Sequence, residues 1–274
     1  DRRFMANEFA KEIASFVKGC GFEPVFVDIE LDSLNLDVDQ LEEAAKKGAK
    51  ILTFAHVLGN PPNMDRVMEV VKQYDLVLLE DTCDALGSTY DGEKLGSFGE
   101  MASCSFYPAH HITMGEGGFV STRTCEQERV VRSFREWGRG CYCVGKEANL
   151  LKNGTCKRRF DNWIPTLPNE IFDHKFVYEE IGYNLKPIEL QASMGLAQME
   201  KIETITERRK ENYSRLFDVF KKYEDHLHLP RATEKSDPSW FAFPMTVKDG
   251  APFKRSDFTS FLEPSDFTSF LELF

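Results

Sequence analysis

Short apolar runs alternate with amphipathic stretches along the first half of the chain, and this alternation constrains the fold more than any other feature. Val25-Phe26-Val27-Asp28, Ile51-Leu52-Thr53-Phe54-Ala55, Leu76 to Asp81, Ser103 to Tyr107 and Gly118 to Thr122 read as strands. Phe4 to Cys20 reads as a helix, with Phe9, Ile13, Phe16 and Val17 on one side. Val38 to Lys47 and Met64 to Tyr74 carry the same helical period. Strands separated by helices imply βαβ crossovers and an α/β fold with a mainly parallel sheet covered by helices. Such sheets carry their chemistry beyond the carboxyl ends of the strands. Asp81, Cys83 and Asp84 fall at one such end, and Tyr107, Pro108 and His110 at another.

Residues 139–185 are rich in Gly, Pro, Asn, Arg and Tyr and read as a long loop. From Ile188 to about Tyr223 the pattern is helical again, bent or broken, and a strand is expected over Pro238 to Met245. Residues 1–223 are thus expected to form a large domain and 224–274 the start of a smaller one. Ser256 to Glu263 recurs as Ser265 to Glu272 with only Pro264 between, a unit too short for a solenoid that reads as an artefact of the sequence.

The net charge of −11 argues against wholesale nucleic-acid binding, which favours a basic face. No apolar run approaches the roughly 20 residues that span a bilayer. Asp1-Arg2-Arg3-Phe4 lacks the core of a secretory signal. A cytoplasmic location without membrane contact is the expectation. Seven scattered cysteines do not suit a disulfide scaffold, and the Cys141-x-Cys143 pair points instead to metal or redox chemistry.

Ser105-Phe106-Tyr107-Pro108-Ala109-His110-His111, running on to Gly118, resembles the cofactor-anchoring strand and turn of the DegT/StrS nucleotide-sugar aminotransferases. Glu80 to Ser88, Trp137 to Cys143, Asp173-His174-Lys175 and Gly182 to Lys186 extend the resemblance toward the family's CDP-4-keto-6-deoxyglucose 3-dehydrase group. It implies the fold of the PLP-dependent transferases (aspartate aminotransferase-like, fold type I), truncated here at both ends, with the phosphate-binding loop expected upstream of residue 1.

In that family a lysine five residues after the serine tethers pyridoxal phosphate. His110 stands there in this chain. Imidazole forms no stable imine, but it moves protons near neutrality. The resemblance therefore implies noncovalent pyridoxamine 5'-phosphate (or PLP), with His110 as the base for dehydration at C3 of a CDP-4-keto-6-deoxyhexose. His111 competes for that role, and the five-residue offset from Ser105 selects His110. Asp81 matches the carboxylate that pairs with the pyridine nitrogen, Asp84 a residue beside the ring, and Ser105 a donor to the phosphate. Asn184 matches a residue that reaches the neighbouring subunit's phosphate, which implies a homodimer. Taken singly, Asp81 suits a helix cap, Ser105 a strand and Asn184 a turn.

The resembling enzymes also hold a [2Fe–2S] cluster, fed by an NADH-dependent flavin and iron–sulfur reductase. Fifty-seven residues separate Cys83 from the Cys141/Cys143 pair, as in their pattern, and Cys156 is the natural fourth ligand. Twelve residues lie between Cys143 and Cys156, a longer gap than the family's. Tetrahedral zinc and four buried thiols are the alternatives that residue type alone leaves open. A cluster-free dehydratase of a GDP-4-keto-6-deoxy sugar, and a catalytically incompetent binding chain, are the competing functions.

Overall fold

A computed structural model describes residues 14–15, 17–141 and 159–262. Most of the helix expected from Phe4, and the second copy of the repeated tail, lie outside this set.

Helix α1 (Val38–Lys46) starts where the Asp37 carboxylate accepts from the Asp39 and Gln40 amides, satisfying donors that the first helical turn leaves open. Helix α2 (Met64–Tyr74) is capped in the same way by Asn63. Both bury one stripe, Val38, Leu41, Ala44 and Ala45 on α1, and Met64, Val67, Val70 and Val71 on α2. These stripes close over a sheet of β1 (Ile51–Ala55), β2 (Val77–Asp81), β5 (Met101–Ser105) and β6 (Gly118–Thr122), in that order. The first three run parallel, and β6 runs antiparallel to β5. Two short strands, β3 (Thr89–Tyr90) and β4 (Glu93–Lys94), form a hairpin. Asp91 and Gly92 both take positive φ there, as a tight two-residue hairpin turn requires.

Ala55 pairs with Asp81 and Asp81 with Ser103, so the parallel strands finish at one level. Helix α3 (Cys125–Arg135) follows β6 and begins with a reciprocal Thr124–Gln127 capping box. Helices α4 (Glu189–Met199) and α5 (Ile202–Phe220) are the broken helical region expected over 188–223. Beyond them β7 (Leu227–His228) pairs with β9 (Thr246–Val247), while β8 (Ser236–Asp237) joins the β3 edge.

Three expectations shift. Val25 to Asp28 pairs with no strand among the described residues, and Val25 and Phe26 are more than 60% exposed, so the apolar run there does not mark a buried strand. The strand expected over Ser103 to Tyr107 lies two residues earlier, because the Tyr107 amide turns back onto Ser105 Oγ and ends the ladder. Residues 238–245 form no ladder either, and the backbone of 239–241 is held largely by side chains (below). Within 159–185 the described chain has one short 3-10 turn, His174–Phe176. Gly138 (φ +80) and Gly182 meet backbone to backbone, a closeness that any Cβ would block, and so tie this region to the end of α3.

Candidate active site

The site is assembled where the parallel strands end. Asp81 closes β2, and its Oδ1 accepts the Cys83 amide at 2.9 Å. Ser105 closes β5. Pro108 then sits at the second position of a turn closed by the His110 amide on the Tyr107 carbonyl, at 2.9 Å. Proline's fixed φ suits that position. The turn brings His110 over the segment that follows β2, with Nδ1 3.3 Å from Asp84 Oδ1. Nδ1 has no aligned hydrogen-bond partner among the described residues. Burial raises the Asp84 pKa; His110 opposes that shift and the nearby Asp81 adds to it.

His111 is a different kind of residue. It is buried, and its Nε2–H donates to the Ser239 carbonyl at 2.7 Å. Burial pushes its pKa down to about 4 against the opposing pull of that carbonyl, so the ring is neutral and committed to a structural bond. His110 is partly open to solvent, with 18% of its side chain exposed. The two histidines thus differ in surroundings: His111 is committed to a buried backbone bond and His110 opens toward solvent.

A second buried pair lies behind Asp81. His56 Nε2 and Glu80 Oε2 are 2.8 Å apart, both fully enclosed. Glu80 also accepts the amides of Gly96, Phe98 and Gly99 at 2.9, 2.8 and 2.6 Å. Burial disfavours its charge, but the His56 bond and the glycine amides outweigh that and hold its pKa below the usual carboxylate range. The His56 amide donates to the Asp81 carbonyl at 3.0 Å, so this network fixes the strand end that carries Asp81. Sequence reasoning missed it, and only the Glu80-Asp81 adjacency hinted at it.

Asn184 is exposed and bridges to Glu136, beside exposed Ile181, Tyr183 and Leu185. The Cys83 thiol is half-buried, and burial followed by Asp81 pushes its pKa up to about 12. Cys141 ends a described stretch next to Gly140, whose amide binds the Val177 carbonyl. Cys143 and Cys156 lie outside the described residues. Among the described residues no three Cys, His, Asp or Glu side chains gather as a metal site, and of the expected ligand set these residues include Cys83 and Cys141. The chemistry of the other groups fits a phosphorylated pyridine: two carboxylates, a hydroxyl at a strand end and an imidazole beside them.

Residues 12–269 match the sequence profile of the DegT/DnrJ/EryC1/StrS aminotransferase family. The chain belongs to that family. Among curated members, the lipopolysaccharide biosynthesis protein RfbH of Salmonella typhimurium is 45% identical over 89% of this chain and 54% of its own length. The dTDP-4-dehydro-2,6-dideoxy-D-glucose 3-dehydratase of Saccharopolyspora spinosa is 44% identical over 89% and 51%. The chain spans about half the length of these relatives. Among solved structures, E. coli GDP-4-keto-6-deoxy-D-mannose-3-dehydratase with bound hydrated PLP superposes with a TM-score of 0.71 at 26% identity, covering 86% of this chain and 57% of that one. The α/β architecture with a mainly parallel sheet is therefore that of the PLP-dependent aminotransferase fold. No helix among the described residues is long and apolar enough to cross a membrane.

Proposed function

We propose that this chain carries the cofactor site of a nucleotide-sugar 3-dehydrase, with His110 as the base. One observation supports this above the others: where the family tethers its cofactor through lysine, an imidazole sits 3.3 Å from a half-buried carboxylate at the strand ends. Bound there, pyridoxamine phosphate supplies an amine for the C4 ketone and a ring that accepts the electron pair left at its exocyclic carbon. Asp81 would face the ring nitrogen and keep it protonated. Ser105 would donate to the phosphate. His110, with Asp84 beside Nδ1, would take the proton from the exocyclic carbon through Nε2. The sugar's C3 hydroxyl would depart as water with that proton. Positioned bases of this kind contribute about 10²–10⁴-fold.

The substrate we propose is a CDP-4-keto-6-deoxyhexose, on a route to 3,6-dideoxysugars. Cys83, Cys141, Cys143 and Cys156 would hold a [2Fe–2S] cluster that supplies electrons received from a separate NADH-dependent flavin and iron–sulfur reductase. The Cys83 to Cys141/Cys143 spacing supports this. A second copy of the chain would cover the exposed apolar face around Ile181 and Leu185, bringing Asn184 to the partner's cofactor.

The test offers CDP-, dTDP- and GDP-4-keto-6-deoxy sugars to the protein loaded with pyridoxamine phosphate in D2O. Deuterium entering the cofactor's exocyclic carbon with the CDP sugar, and lost in His110→Asn, is the expected result. Wash-in that persists in His110→Asn contradicts the assignment of the base. The alternative is a cluster-free dehydratase of a GDP-4-keto-6-deoxy sugar. Full deoxygenation by iron-free protein with glutamate would establish that alternative.

A further inference from the structure

Residues 239–241 lie about 130 positions after His110 in sequence, yet they are bound into its surroundings almost atom by atom. The Ser239 amide donates to Ser88 Oγ at 2.8 Å, and its carbonyl accepts His111 Nε2–H at 2.7 Å; both bonds are buried. Arg209 Nη1 donates to the Trp240 and Phe241 carbonyls, each at 3.1 Å. The Phe241 amide donates to the Leu58 carbonyl at 2.9 Å. The Trp240 ring stacks on Tyr213, 4.0 Å between centroids and 1° from parallel. Gly59 supports the same segment from below, since a Cβ there would lie 2.5 Å from the Ser239 carbonyl oxygen.

The product of this clamping is the placement of one ring. The Phe241 centroid lies 5.6 Å from that of His110 and 6.2 Å from that of His111. Tyr107 meets another side of His110 edge-on at 6.3 Å. Asp84 touches Nδ1. His110 makes no aligned hydrogen bond at Nδ1 that would fix its side-chain torsion. Its orientation is therefore set by packing and by the Asp84 carboxylate, with Phe241 as one wall.

We propose that Phe241 is the positioning residue for the His110 base, held in place by a strap, Ser239 to Phe241, that His111, Ser88 and Arg209 anchor. This rests on the assignment of His110 as base. Without the wall the imidazole samples rotamers in which Nε2 no longer reaches the proton it must take. A displacement of about 1 Å can cost about 10²-fold in such a transfer. The ring is only partly buried, so its truncation is compatible with a folded protein.

The experiment follows deuterium wash-in at the exocyclic carbon of pyridoxamine phosphate, in D2O with CDP-4-keto-6-deoxyglucose, for the full chain. In wash-in the C–H electron pair passes into the ring system and the proton to His110; the reverse step returns a deuteron from solvent. Phe241→Ala is expected to slow wash-in by about 10–100-fold. KM for the sugar and binding of pyridoxamine phosphate should be unchanged, and Phe241→Tyr should restore the rate. On a His110→Asn background Phe241→Ala should add nothing, because the two act as one unit. Phe241→Leu keeps apolar volume without the flat ring and should also slow wash-in, which covers the case of a poorly folded alanine variant. A Phe241→Ala or Phe241→Leu rate within about twofold of the parent overturns the inference while leaving His110 as base. Wash-in that survives His110→Asn overturns the base itself, and the strap's role with it.

Discussion

The imidazole of His110 rests against the carboxylate of Asp84, Nδ1 3.3 Å from Oδ1, with both side chains largely shielded from water. A carboxylate in that position stabilises the imidazolium formed when the base gains a proton. Asp84→Asn keeps the shape and removes the charge, so wash-in at the cofactor carbon should fall by about 10-fold. Stability should move the other way. Burial raises the pKa of Asp84, so the group favours the fold below the ordinary value of 3.8, and that contribution is lost as pH rises through the folded value. Calorimetry at pH 7 should find the Asn variant no less stable than the parent. A variant that is destabilised, or as fast as the parent, contradicts this view of the pair.

His111 gives the opposite pH dependence. Its pKa falls from 6.5 to about 4 on folding, so the unfolded chain takes up a proton that the native state refuses. Its contribution is complete above about pH 6.5 and is lost as pH falls toward 4, by about 3 kcal/mol in all. Urea midpoints measured from pH 7.5 to 4.5 should decline, and His111→Asn should flatten the slope over that window.

Glu80 binds His56 and three loop amides in an enclosed space. Glu80→Ala leaves all of them without an acceptor, and removing one partner of such a buried pair costs about 3–5 kcal/mol. Glu80→Gln keeps an acceptor oxygen and should lose less. Equal losses in denaturant titrations would show that the negative charge, and not the acceptor oxygen, carries the interaction.

Much of the sheet was legible because its signals are local. The Ile51–Ala55 strand and both amphipathic helices carry their period, and the Asp37 and Asn63 caps stand next to them. The place of His110 beyond a strand end was legible through the strand pattern that precedes it. The strap was not, because Ser239 finds partners 128 and 151 positions away, and no periodicity in Pro238 to Met245 encodes a backbone held by an imidazole and a serine hydroxyl. The same cause explains the missing strand there. Val25 to Asp28 misled for a simpler reason, since a β-branched run forms a strand only where a neighbour pairs with it.

The cysteine assignment makes its own prediction. Anaerobic incubation with iron and sulfide should give charge-transfer absorption and about two irons per chain, as a [2Fe–2S] site requires. Cys83→Ser should abolish it, and Cys20→Ser, at an exposed position, should not. Zinc without colour would favour a tetrahedral site instead.

Borohydride reduction of the protein incubated with pyridoxal phosphate asks the central question directly, followed by mass spectrometry of the peptides. With histidine at position 110 the cofactor should wash away and leave no pyridoxyl mass on the protein, whereas His110→Lys should acquire one on the Ser105 to Gly118 peptide. A stable pyridoxyl adduct on a lysine of the unaltered chain would contradict the account and restore amino-group transfer as its chemistry.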